Sequence, residues 1–163
     1  QQRAFNVYWA IQQCWMTGEV GLELGYGGVT TPWCLATDSR RGADCYGGTV
    51  DPALVVRGED PSPFGTQCFN LVLANHVLEH LEGDLYEIFV AWHRVIKPGG
   101  IFAVILPDQR YNDVMKMDSD HKQAWKAPDF KTQILDRLDS FYEIVEHDTL
   151  GNGFSFNSVL RRR

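Results

Sequence analysis

Apolar positions recur along the chain at two periods, and the switches between them mark out its elements. Residues 4–15 place Ala4, Tyr8, Ile11 and Trp15 successive helical turns apart, which predicts a packing helix within residues 1–18. Residues 20–24 form a short apolar run ended by the turn sequence GYGG at 25–28, and residues 33–37 form a second strand candidate that ends at Asp38. FNLVLA at 69–74 reads as a buried strand. A helix follows it: Asp84 stands at the N-cap with Glu87 three residues on, and Leu85, Ile88, Phe89, Trp92, Val95 and Ile96 make a continuous apolar face. KPGG at 97–100 is read as the stop, because proline lacks a backbone donor and glycine accepts positive φ.

IFAVIL at 101–106 is apolar without interruption, as in strands covered on both faces of a parallel sheet, and Pro107 closes it. A second helix is predicted over 128–138, with Phe130, Ile134, Leu135 and Leu138 on one side. Runs at 141–146 and 154–160 flank Gly151-Asn152-Gly153, a hairpin signal. Strands alternating with helices and closing in a hairpin define the α/β class, mainly parallel with an antiparallel end. No repeat or linker interrupts the chain; only the middle, residues 40–65, is turn-rich. One domain over 1–163 is expected.

Composition narrows the function. A chain of 163 residues with 44% apolar and 22% charged residues is that of a globular domain. Acidic groups number 21 against 15 basic ones, and three of the basic groups are the last three residues, which argues against nucleic acid or an anionic membrane as partner. The longest apolar run is far short of the roughly 20 residues of a membrane span. Cys14, Cys34, Cys45 and Cys68 form no CxxC or CxxH pair, so neither a zinc knuckle nor a disulfide framework is suggested. Free, mostly buried thiols in a reducing, cytoplasmic setting are expected, with no signal peptide. No cluster of metal ligands is evident along the chain. The expected assembly is a monomer or homodimer.

Ligands of open α/β sheets bind at the carboxyl ends of the strands. There LELGYGG at 22–28 puts Glu23 late in a strand, with Leu24, then Gly25 and Gly27 around Tyr26. Paired glycines let the backbone turn and approach a ligand, and the Glu23 carboxylate can accept from an ammonium or hydroxyl, although a plain glycine turn explains the heptapeptide alone equally well. Asp38 is placed to accept two ribose hydroxyls, or to be a solvated turn residue. A dinucleotide site is disfavoured: Thr30 stands where the third glycine of GxGxxG belongs, and the acid arrives early.

Three motifs in order, the glycine turn, FNLVLANHVLEHL (69–81) and HRVIKPGGIFAVILPD (93–108), resemble the class I S-adenosylmethionine-dependent methyltransferases of the type 11 kind. The resemblance implies a Rossmann-like, doubly wound, mostly parallel seven-stranded sheet with an antiparallel C-terminal hairpin strand. It also implies S-adenosyl-L-methionine as cofactor, a core for it over 20–110, and a substrate-side segment over 111–163. By the same resemblance Glu23, Gly25 and Gly27 hold the methionine part, Asp38 takes the ribose hydroxyls, and Glu59 or Asp60 lies beside adenine. Asn75 and His76 face the methionine part and the acceptor, while Glu79 and His80 fix a helix start. Two departures stand out. Tyr26 replaces a small residue between the glycines, and the short connection to Asp38 contains Pro32, so a stub is expected in place of the first crossover helix.

The function implied is methyl transfer to a small-molecule acceptor through oxygen, nitrogen or carbon. Alignment supplies most of such catalysis, an effect worth roughly 7–11 kcal/mol. Where an acceptor must lose a proton, His76, Asp108 and His121 are the candidate bases. Two other readings remain from the sequence: a degenerate cofactor-binding module that only interacts, and a nucleotide-dependent α/β enzyme.

Overall fold

Hydrogen bonding gathers seven of the described strands into one sheet. The computed structural model describes residues 20–28, 31–43, 48–148 and 153–163. The predicted helix within 1–18 lies outside them, as do Cys14 and Cys45. In chain order the strands are β1 (Gly21–Leu24), β2 (Cys34–Asp38), β3 (Gly42–Ala43), β4 (Thr49–Val50), β5 (Leu54–Val55), β6 (Phe69–Asn75), β7 (Ile96–Pro107), β8 (Tyr142–His147) and β9 (Ser155–Arg162). The sheet order is β5-β2-β1-β6-β7-β9-β8, with β3 and β4 forming a separate ribbon. The pairs among β5, β2, β1, β6 and β7 are parallel; β9 runs antiparallel to both β7 and β8. This is the Rossmann-like α/β sheet expected, antiparallel only at its end.

Local chemistry explains the elements. Helix α1 (Leu85–His93) starts where predicted, with the Asp84 carboxylate accepting from the Tyr86 amide at 2.9 Å. It ends sooner than the apolar pattern suggests. Arg94 caps it and Ile96 already belongs to β7, so KPGG is not a helix stop: it bulges out of β7, where Phe69 pairs with Ile96 and Leu71 with Ile101. Val95 and Ile96 remain fully buried, because the strand start and the helix end share one core. Beyond the one-turn helix α2 (Val114–Met117), the helix predicted over 128–138 divides at Ile134 into α3 (Ala127–Gln133) and a tight 3-10 turn, Leu135–Leu138. Phe130, Ile134, Leu135 and Leu138 are all buried as the pattern requires.

The larger core lies on the face covered by α1 and α3. Phe89 sits at its centre, 4.8 Å from the Phe102 ring, and Trp92 is fully buried with its indole N–H donating to Gly58 O at 2.7 Å. Leu71, Leu73, Ile101, Ala103, Ile105 and Val159 form a smaller apolar cluster on the opposite face. The β1–β2 connection, residues 25–33, is a turn where it is described: Gly21 N donates to Trp33 O and Cys34 N to Thr31 O. Cys68 is exposed and Cys34 partly buried, so burial of the described cysteines is less complete than expected. Among the described residues no helix is long and apolar enough to cross a membrane.

His147 ties the hairpin to α3. Its Nε2 faces Ala127 O at 2.9 Å, and a carbonyl only accepts, so Nε2 carries the proton and Nδ1 takes the Ser158 hydroxyl at 2.9 Å. Burial, with Lys131 adding, holds this imidazole below its ordinary range against the opposing bond to Ala127; burial and then Arg162 do the same for His93. A base depressed in the folded state binds fewer protons there than in the unfolded chain. Its stabilisation is complete above the unfolded value of about 6.5 and is lost as the pH falls below it. The thermal midpoint should drop between pH 7 and pH 5, and His147→Gln should flatten that slope; an unchanged slope in the variant would remove His147 as its source.

Candidate functional site

The strand order changes direction between β1 and β6: β2 follows on one side and β7 on the other. At such a switch point the loops leaving the two carboxyl ends diverge and open a crevice. A cleft of about 840 Å³ lies there.

The glycine loop forms one wall. Glu23, at the end of β1, is only 2% exposed, and its oxygens accept from Thr31 N at 2.8 Å and Thr31 Oγ1 at 2.6 Å. The carboxylate thus fastens the far end of the loop to the strand, a role the sequence reading did not assign. Leu24 contributes to the wall, followed by Gly25 and Gly27 with φ of 58° and 59°. These two glycines are required for different reasons. A Cβ on Gly25 would stand 2.5 Å from Val77 Cγ2, whereas one on Gly27 would meet nothing within 4 Å and point into open space. Tyr26 lines the cleft too, and its hydroxyl accepts from Asp51 N at 2.8 Å, so the phenol spans from the loop to the segment before β5.

Asp38 stands at the end of β2 on the same cleft, its Oδ1 accepting weakly from Arg40 N at 3.4 Å and leaving the group half-exposed. Of the two acids considered for adenine, the structure brings only Glu59 to the cleft, where its Oε1 accepts from Glu82 N at 3.2 Å. Asp60 is outside the lining. It is exposed, and hydrogen bonds from Ser62 hold its carboxyl below the usual range.

Asn75 ends β6 and His76 follows it directly. His76 has φ of 55°, unusual for a residue with a side chain, and its amide donates to Ile105 O at 2.9 Å. The imidazole places Nε2 3.0 Å from Ser155 Oγ and Nδ1 3.3 Å from Glu79 Oε1, and its ring lies near Phe154. Glu79 and His80 do not start α1; with Leu78 they make a separate 3-10 turn, Leu78–His80. The backbone of that turn is bound by the segment after α2. Lys122 N and Gln123 N donate to Glu79 O at 2.7 and 3.2 Å, and the Gln123 side chain donates to Leu78 O and Leu81 O. This brings His121 against His80, with ring centroids 4.5 Å apart. Ligand atoms of Glu79, His80 and His121 lie within 4.8 Å of one another. The sequence, in which no metal cluster was evident, conceals this group because His121 is distant along the chain; the LEH motif was the only signal for it.

Asp108 is not a candidate base. It is fully buried, outside the cleft lining, and its two oxygens are held by the Arg110 guanidinium and amide.

Residues 22–104 match the methyltransferase domain family, and the chain belongs to it. No curated protein matches the sequence. Among solved structures, a chain of the complex between the Haloferax volcanii Trm112 methyltransferase activator and a methyltransferase is similar over 96% of this chain and 91% of that one, at 13% identity and a TM-score of 0.61. The PH0226 protein of Pyrococcus horikoshii covers 99% and 93% at 14% identity and TM-score 0.60, and the N-methyltransferase NodS of Bradyrhizobium japonicum 96% and 94% at 13% and 0.56. At these identities the likeness is one of fold.

The glycine geometry yields an expected ranking. Ala at either position pays about 1–2 kcal/mol for left-handed backbone. Only Gly25→Ala adds a clash with Val77, so chemical denaturation should show it to be clearly less stable than Gly27→Ala. Equal stabilities would mean that the loop shifts freely away from Val77.

Proposed function

We propose that this chain transfers a methyl group from S-adenosyl-L-methionine to a small-molecule acceptor. The reading is supported above all by convergence: Gly25 and Gly27, Asp38, Glu59, and Asn75 with His76 come from four separate segments and line one cleft at the switch point. The cleft suits the cofactor chemically. Open space over Gly27 admits close backbone approach, and Asp38 offers a half-exposed carboxylate for vicinal hydroxyls. Glu59 lies on the Asp38 side as the candidate neighbour of adenine. Glu23 acts through Thr31, shaping the loop that takes the methionine part.

When bound, the cofactor supplies an already activated methyl group. The protein then aligns the acceptor and excludes water. His76 is our candidate for taking a proton from a hydroxyl acceptor. It is anchored just past a strand end, and its side chain is 26% exposed. His121 lines the same cleft but gives its Nδ1–H to Val114 O at 2.6 Å, leaving Nε2 as its only acceptor.

Calorimetry with S-adenosylhomocysteine tests the reading. The chain should bind it, and Asp38→Ala should weaken binding by about 2–4 kcal/mol through loss of two hydrogen bonds to a charged acceptor. His76→Asn, which tolerates the left-handed backbone, should leave that affinity nearly unchanged. Binding of NAD or UDP in place of S-adenosylhomocysteine, or an Asp38→Ala variant with wild-type affinity, would contradict the assignment.

A further inference from the structure

Among the described residues, the least satisfied group is the Glu79 carboxylate. Its residue is 1% exposed, and neither oxygen has a hydrogen-bond partner among the described residues. His76 Nδ1 stands 3.3 Å from Oε1 without making a hydrogen bond, and Oε2 likewise has no donor. Buried carboxylates are costly unless paired, donated to, or bound to a cation. This one is nonetheless held rigidly. Its own carbonyl accepts from Lys122 N and Gln123 N, so the turn cannot swing the side chain into solvent without breaking those bonds.

Two imidazoles complete the surroundings. His121 is 9% exposed, and its Nδ1–H must donate to the Val114 carbonyl. That fixes the tautomer with the lone pair on Nε2, the arrangement in which a backbone acceptor orients a metal-binding histidine. His80, partly exposed on the cleft wall, packs its ring against that of His121. We propose that Glu79, His80 and His121 form a binding site for a divalent first-row transition metal ion, with zinc as the best-suited occupant. Two neutral imidazoles and one carboxylate, with a further position open to the cleft, make the donor set of three-ligand zinc sites. Magnesium or calcium would require an oxygen-rich set.

The geometry needs a small closure. Ligands around tetrahedral zinc lie about 3.3 Å apart for bonds of about 2.0–2.1 Å, against a limit of 4.8 Å here. Small side-chain rotations supply it, the largest from the partly exposed His80 ring. The open position faces the space that the methyl-transfer reading gives to the acceptor. On that reading the ion would hold an oxygen of the acceptor, such as a hydroxyl, and so favour acceptors that carry one. Ion binding itself does not depend on that reading.

The test is titration of the full chain, free of any affinity tag, with Co²⁺ and Zn²⁺. Co²⁺ should bind at one equivalent with the intense visible bands of four-coordinate cobalt, and Zn²⁺ should displace it. Glu79→Gln, His80→Ala and His121→Ala should each weaken binding more than about 100-fold, beyond the 10–100-fold usual for groups that merely support a ligand. Glu79→Gln keeps the side-chain volume and His80 is partly exposed, so these two variants should fold as the parent does by circular dichroism. Absence of bound metal would overturn the proposal. So would retention of wild-type affinity in the folded variants, which would move the ion to the exposed acids. S-adenosylhomocysteine binding, measured separately and without metal, keeps failure here distinct from failure of the methyl-transfer reading.

Discussion

The wall of the cleft that we propose for the acceptor hangs on the turn that leaves β6. His76 adopts a left-handed backbone there, at a cost of about 1–2 kcal/mol for a residue with a Cβ. The donation from its amide to Ile105 O and the contact of its ring with Ser155 offset that cost. The consequence is directional: the chain drops at once into the Leu78–His80 turn instead of running on as a strand. Leu78 enters the core, and Glu79 offers its carbonyl to two amides of the following segment. A straight exit from β6 would leave residues 121–123 without an anchor and dissolve one wall of the site.

Four of the carboxylates that line this cleft differ in how they are satisfied, and the differences bear on what each can do. Glu23 is buried and satisfied by Thr31, which makes it structural. Glu59 accepts from one backbone amide and stands 3.5 Å from the exposed Arg57 guanidinium, and Asp38 makes only long local contacts while half-exposed, so both have capacity left for a ligand. Glu79 is buried and lacks any donor. Burial with satisfaction marks the scaffold, whereas partial exposure or an unmet carboxylate marks the places where something else must bind.

Strands β1, β2, β6, β7, β8 and β9 were legible because each is a continuous or alternating apolar run bounded by turn residues. The sheet's class and its antiparallel end followed from their alternation with helices. What was not legible had little apolar signal. Strand β5 is two exposed residues in a turn-rich segment, and it joins the sheet only through its pairing with Thr37 and Asp38. KPGG carried the residue types of a helix stop and proved to be a bulge, since strand pairing of Ile96 took over the end of the helical pattern. At the site, the glycine loop and Asp38 could be placed from local chemistry, and their cleft follows from the fold. The Thr31 clasp on Glu23 and the meeting of His121 with the LEH turn could not be placed. Both depend on contacts between segments that no local spacing encodes.

The central claim is that one cleft is divided between a donor side, built by the glycine loop and Asp38, and an acceptor side, built by the turn after β6. A crystal structure with S-adenosylhomocysteine tests it most directly. The account predicts ribose hydroxyls on Asp38, the amino-acid portion along Gly25 to Gly27, and the sulfur directed toward His76 and Glu79. A ligand whose ribose lies away from Asp38, or whose sulfur faces away from the turn after β6, would contradict it.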